Sequence, residues 1–121
     1  MTNLKIFKNS RVIVTGHTGF KGIWLSRILR NFGAEIYGFS LKEPSRIKNL
    51  KLFNLDKEVV THYGNIKDKK SFYKYAKKIN PHILFHLADQ PLVKESYINP
   101  YNTFETNVMG SVNILDAVLA T

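Results

Sequence analysis

Residues Val12-Ile13-Val14-Thr15-Gly16-His17-Thr18-Gly19-Phe20-Lys21-Gly22 constrain this chain more than any other stretch. A β-branched apolar run is followed by three glycines spaced three apart, and then by a pattern of helical period. Each glycine has a specific reason to lack a side chain. Gly16 lets the chain leave a strand in a tight turn, Gly19 leaves the backbone open to an approaching phosphate, and Gly22 lets the first helical turn lie against the sheet. The amides around Phe20 and Lys21 then point outward from a helix N-terminus, where the helix dipole attracts an anion. A bare three-glycine pattern is weak. A strand before it and a helix after it give the context of a dinucleotide pyrophosphate site, against the plainer reading of an ordinary strand–helix turn.

The rest of the chain alternates strand and helix signals. Strands are expected at 11–15, 34–40, 58–63 and 82–87, and helices at about 20–32, 68–79 and 101–120. A short helix is expected within 41–57, where Pro44 and Ser45 mark a turn and Leu50, Leu52, Phe53 and Leu55 are apolar. Gly33 suits a helix end at positive φ, and Asn80-Pro81 stops the lysine-rich helix. The inner stripe of the first helix is expected to be Phe20, Ile23, Trp24, Ile28 and Phe32. That of the last helix is expected to be Phe104, Val108, Val112, Leu115 and Leu119. Such alternation predicts an α/β, Rossmann-type, doubly wound parallel sheet of strand order 3-2-1-4, with ligand at the carboxyl ends where strands one and four part.

Composition narrows the classes. The chain has 121 residues, enough for one domain, and no apolar run long enough to span a membrane. It contains no cysteine and no leader-like apolar segment at its start, so the cytoplasm is the default expectation. The net charge of +9 raises the question of nucleic acid. The cluster Lys67, Lys69, Lys70, Lys74, Lys77 and Lys78, however, interleaves with Phe72, Tyr75, Ala76 and Ile79 at helical spacing. The lysines therefore take a solvated outer face, and neither nucleic acid nor membrane is expected as a partner. His82 and His86 are i, i+4 on a strand, roughly 13 Å apart at ~3.3 Å per residue, too far to share a metal.

Several ordered motifs carry a resemblance. They are Thr15-Gly16-x-x-Gly19-x-x-Gly22, Gly38-Phe39-Ser40-Leu41, His86-Leu87-Ala88-Asp89-Gln90-Pro91-Leu92-Val93, Ser96-Tyr97, and Thr106-Asn107-Val108-Met109-Gly110-Ser111. Together they resemble the N-terminal part of the extended short-chain dehydrogenase/reductases, and within these the CDP-glucose 4,6-dehydratase family. The resemblance covers essentially the whole chain. It implies an NAD site built from Gly16, His17, Thr18, Gly19, Phe20, Lys21, Gly22 and Ser40, from Asn65 and Ile66 beside the adenine, and from Leu87, Ala88 and Gln90 on the nicotinamide side. Asn65 stands where the family places aspartate; its carbonyl can accept from the adenine amino group. Asp89 stands where the family usually has alanine. Asn107 matches the helix asparagine that supports the active-site backbone, and Lys94, Ser96 and Tyr97 lie on the loop that faces a sugar nucleotide such as CDP-glucose.

At the end of strand two, Ser40, Lys42 and Arg46 replace the acidic residue that marks NAD, which leaves NADP open; the family as a whole favours NAD. The family's catalytic Tyr-x-x-x-Lys pair follows a fifth strand, so the fold is expected to be truncated before strand five, with no substrate domain and no activity alone. The spacings Tyr63–Lys67 and Tyr73–Lys77 are as frequent as chance allows and fall on the wrong parts of the fold. An uncovered fourth strand invites a homo-oligomer or a partner chain. Two other classes stay open: a different extended short-chain enzyme, such as a sugar-nucleotide epimerase or reductase, and a non-enzymatic binding module.

Overall fold

The computed structural model describes residues 4–121. After a 3₁₀ turn at Leu4–Phe7, β1 (Arg11–Thr15) leads into α1 (Phe20–Asn31), β2 (Glu35–Ser40), α2 (Pro44–Leu52), β3 (Val59–Tyr63), α3 (Lys69–Ile79) and β4 (Ile83–His86). Three helical pieces follow: α4 (Val93–Ile98), α5 (Pro100–Phe104) and α6 (Gly110–Leu119). A π-helical turn at Glu105–Met109 joins the last two.

The four strands are all parallel in the order β3-β2-β1-β4, as the alternation predicts. Register is set at the centre, where Val12, Ile13 and Val14 pair with Ile36, Tyr37 and Gly38 on one side and with Ile83, Leu84 and Phe85 on the other. All three β1 residues are fully buried, because side chains alternate between two covered faces. Val12 and Val14 join Ile23, Leu29, Leu50 and Leu55 beneath α1 and α2. Ile13 joins Phe39, Phe72, Tyr75, Ile114 and Ala117 beneath α3 and α6.

Local signals explain the helix ends. Asp68 caps α3 by accepting from the Ser71 amide at 3.0 Å, and Asn80 closes it in the left-handed region. Gly33 takes φ +87 after α1. Phe72, Tyr75 and Ala76 are the buried stripe of α3, with Lys69, Lys70, Lys74, Lys77 and Lys78 outward as expected; Lys67, which precedes the helix, is instead half-buried and turned onto Asn102 and Glu105.

The helix stripes of α1 and α6 differ from expectation. In α1 the buried residues are Gly22, Ile23, Ser26 and Leu29, while Phe20, Trp24, Ile28 and Phe32 are exposed. In α6 they are Gly110, Asn113, Ile114 and Ala117, whereas Phe104, Val108, Val112, Leu115 and Leu119 all face outward. The reason is the same in both helices. Close approach selects small residues: a Cβ on Gly22 would stand 2.2 Å from the Gly16 carbonyl oxygen, and one on Gly110 would stand 2.6 Å from Ile66 Cδ1. The expected continuous helix at 101–120 is instead interrupted by the π-helical turn, and the expected loop after Pro91 contains α4.

Candidate active site

The carboxyl ends of β1 and β4 part around a cavity of about 1310 Å³, where the crossovers of a doubly wound sheet diverge. It is lined by Gly16, Thr18, Gly19, Phe20, Lys21 and Gly22 from the first turn, and by Ser40 from β2. Asn65 and Ile66 line it after β3, Leu87, Ala88 and Gln90 after β4, and Asn107 from the π-helical turn. All of these were singled out in the sequence.

The glycine turn has the geometry of an anion cradle. Gly16 sits at φ +70, and a Cβ there would meet the Ala88 amide nitrogen at 2.9 Å, so β1 and β4 touch at this point. Gly19 is different. Its φ of −76 and ψ of 172 suit any residue, and an added Cβ would come no closer to other atoms than 3.4 Å. Neither backbone nor packing demands glycine there; what its missing Cβ leaves open is the cavity. Among the described residues, the amides of Phe20, Lys21 and Gly22 have no acceptor, and Lys21 has no ion-pair partner. Unpaired N–H groups, a helix N-terminus and a free cation therefore converge on one concave surface. The donor set fits a dinucleotide pyrophosphate.

Beyond β2, Thr18 Oγ1 donates to Ser40 Oγ at 3.3 Å. Glu43 and Arg46, also on the cavity wall, form an ion pair at 2.9 Å. After β3, the Asn65 carbonyl oxygen accepts from the Lys67 amide at 2.9 Å, holding the turn and leaving its NH₂ free. Lys67 is anchored by Asn102 at 2.8 Å and by Glu105 at 3.1 Å.

The β4 end is the most ordered part. Gln90 donates its amide to Asn107 Oδ1 at 2.7 Å, and Asn107 Nδ2 donates to the Gln90 carbonyl at 3.1 Å. The Gln90 side chain bonds Thr103 and the Leu92 backbone. Thr15 Oγ1 accepts from the amides of Leu87 and Ala88, at 3.0 and 3.1 Å.

The structure places some residues away from the cavity. His17 does not line it; its ring is fully buried against Gly38, where an added Cβ would meet it at 2.2 Å, and its Nε2 pairs with Thr61 at 3.0 Å. Burial lowers its pKa to about 4. Lys94, Ser96 and Tyr97 also lie off the cavity wall. Because that segment is helical, Glu95 is the α4 residue on the wall, alongside Leu92. Sequence reasoning missed Glu43, Glu95, Asn102 and Ser111. Glu43 follows the end of β2 closely enough to have been considered, and Ser111 closes the Thr106–Ser111 motif that Asn107 anchors. Tyr73 and Lys77 pack on each other on the outside of α3, with the ammonium 5.9 Å from the ring centroid.

Known proteins resemble this chain in sequence and in fold. A family model described as GDP-mannose 4,6 dehydratase matches residues 13–121. The chain is 40% identical over 118 residues to a CDP-glucose 4,6-dehydratase of Salmonella typhimurium, covering 98% of this chain and 33% of that protein. An epimerase structure from Methanothermobacter thermautotrophicus matches with TM-score 0.84 at 24% identity, over 94% of this chain and 33% of that one. A UDP-glucose 4-epimerase of Thermus thermophilus, solved in complex with NAD, matches with TM-score 0.79 at 29% identity, over 88% of this chain and 33% of that one. The chain spans about a third of the length of the relatives it matches. With the parallel 3-2-1-4 sheet and its glycine cradle, these matches establish that the chain belongs to the GDP-mannose 4,6-dehydratase family of extended short-chain dehydrogenase/reductases.

Proposed function

We propose that this chain is the dinucleotide-binding part of a sugar-nucleotide 4,6-dehydratase, holding NAD and acting on CDP-glucose or a close analogue. The observation that carries the reading is Gly19. It is a glycine that fold and packing do not require, at the mouth of a cavity lined with unpaired amides. When bound, the nicotinamide supplies a hydride acceptor and donor. The chain's own residues bind and orient. The Phe20–Gly22 amides and Lys21 hold the pyrophosphate, Asn65 and Ile66 flank the adenine, and Leu87, Ala88 and Gln90 form the wall beside the nicotinamide.

NAD is favoured over NADP by Glu43. Its carboxylate lies on the cavity wall past β2 and ties up Arg46, so a 2′-phosphate there would meet a negative charge rather than a free guanidinium. Dehydration is favoured over epimerisation by the 40% identity to the CDP-glucose enzyme, against 29% to the NAD-bound epimerase. No Tyr-x-x-x-Lys pair faces the cavity among the described residues, so the acid–base groups of turnover are assigned to residues other than those described.

Calorimetric titration with NAD and NADP, repeated on Gly19→Val, tests the reading. NAD binding that valine abolishes in a folded chain is the expected result. Absence of dinucleotide binding to the folded wild-type chain overturns the reading, and tighter binding of NADP overturns the NAD assignment.

A further inference from the structure

His86, the last residue of β4, lies at the junction of every element that shapes the β4 end of the cavity. Its Nδ1 is 2.7 Å from Thr15 Oγ1, and its Nε2 is 3.0 Å from Ser111 Oγ. Ser111 in turn donates to the Asn107 carbonyl at 2.7 Å. The directions of these bonds follow from counting. Thr15 Oγ1 already accepts two amide protons, from Leu87 and Ala88, which fills both lone pairs. Its own proton must therefore go to His86 Nδ1. The ring is then the neutral Nε2–H tautomer, and it donates to Ser111 Oγ. The Ser111 hydroxyl has given its proton to Asn107, so it is free to accept. One orientation satisfies every group, and it runs unbroken from the residue before the glycine turn to the π-helical turn whose Asn107 grips Gln90.

We propose that His86 is a positioning residue: as a neutral ring it locks, through Ser111, the π-helical turn whose Asn107 holds the Gln90 backbone at the β4 end of the cavity, and protonation of the ring releases that lock. For the ligand, this rests on the reading of the cavity as a dinucleotide site, in which Gln90 flanks the nicotinamide. An imidazolium would carry a proton on Nδ1 facing the Thr15 hydroxyl proton, and Thr15 has no lone pair left to receive it; its Nε2–H could still donate to Ser111, so the lock is released by the ring being driven off Thr15 and carried away from Ser111 with it.

Few charged groups surround the ring. From its own loop Asp89 favours the imidazolium, while burial, the larger effect, favours the neutral form and lowers the pKa. From β1 the ring meets Thr15, and from α6 it meets Ser111. Glu105 of the π-helical turn is paired with Lys67, and Asp116 of α6 with Lys69. Lys21 and Lys67 stand across the same cavity.

The test is nuclear magnetic resonance of the ¹⁵N-labelled chain between about pH 7.5 and about pH 5, following the His86 ring nitrogens and the Gln90 amide together. The neutral ring is expected as the Nε2–H tautomer, with the Gln90 amide shifting at the same midpoint as the ring. In Ser111→Ala the ring should still titrate while Gln90 stops following it. Three results overturn the proposal: an Nδ1–H tautomer, a Gln90 amide indifferent to the ring in the wild type, or one that follows it equally in Ser111→Ala. That last pattern would mean transmission along the four-residue loop rather than through the π-helical turn. A ligand arm separates this inference from the cofactor reading. His86→Phe should weaken NAD binding about tenfold relative to ADP-ribose, which lacks the nicotinamide; equal losses for both overturn the positioning role toward that half. Binding of neither compound to the wild-type chain refutes the cofactor reading, and the ring-to-amide coupling still decides the role of His86.

Discussion

Asn107 and Gln90 are joined by two hydrogen bonds in opposite senses, the Gln90 amide to Asn107 Oδ1 at 2.7 Å and Asn107 Nδ2 to the Gln90 carbonyl at 3.1 Å. A side-chain amide here completes the backbone pairing that a neighbouring strand would otherwise supply just past the end of β4. It can do so because the π-helical turn moves residue 107 off the regular helical path, a use for which such turns recur at functional sites. Asn107→Leu, which keeps a branched side chain but has no hydrogen-bonding atoms, leaves both backbone groups of Gln90 without these partners. It should lower unfolding stability by about 1–3 kcal/mol, read as a fall in the urea midpoint. Asn107→Asp, which keeps the acceptor and loses the donor, should fall between the two.

The glycines of the first turn should separate cleanly. Gly22→Ala places a Cβ 2.2 Å from the Gly16 carbonyl oxygen and 2.7 Å from His17 Cα, both backbone atoms that cannot yield without moving the turn. It should prevent folding or cost several kcal/mol, of the order of a severely overpacked core. Gly19→Ala meets only ordinary contacts and should melt within about 2 °C of the wild type, since unconstrained sites change stability little. Circular dichroism melts of the two variants side by side check the contrast.

Acid should weaken the fold through His17. Its folded pKa, about 4, lies below the ordinary 6.5 because burial disfavours the imidazolium. As pH falls through 6.5 the unfolded chain takes up the proton first, so stability is whole above pH 6.5 and declines progressively toward pH 4. The full effect is about 3 kcal/mol, because each pH unit separating the folded from the unfolded pKa contributes about 1.36 kcal/mol. Urea titrations near neutral pH and again in the acid range should show this decline, and His17→Gln should flatten it. His86 contributes in the same direction, so some slope should remain.

Removing the cap of α3 should be modest and measurable. Asp68→Ala leaves the Ser71 amide without its acceptor and should cost about 1 kcal/mol. Lys69→Ala, which removes the exposed pair with Asp116, should change the urea midpoint by less than about 0.5 kcal/mol equivalent, since exposed ion pairs contribute little.

Much of the site was legible in residue order because the chemistry of a glycine turn is local. Gly16, Gly19 and Gly22 follow an apolar run and open a helix, and that alone locates an anion cradle. The ends of α3 were equally legible, since Asp68 and Asn80 act on backbone groups a few residues away. The inner faces of α1 and α6 were not. Reading the largest apolar residues as the buried ones pointed to Phe20, Trp24, Phe104 and Leu119, whereas the sheet admits Gly22, Ser26, Gly110 and Ala117 at its contact. Hydrophobicity ranks residues by what they gain from burial, but helix–sheet approach ranks them by what fits.

By itself, the sequence determined the alternation of strands and helices, the parallel sheet with its 3-2-1-4 order, and the position of the cradle. Each follows from patterns that repeat within a few residues or from the handedness of a crossover. Only the tertiary structure decided that His17 is a core residue against Gly38, that Glu95 rather than Lys94 or Tyr97 reaches the cavity, and that Thr15, His86, Ser111 and Asn107 form one hydrogen-bonded line. Apart from Ser111–Asn107, these pairings join residues far apart in the sequence, and a hydrogen bond a few ångströms long depends on how whole helices rotate and dock, which no local pattern encodes.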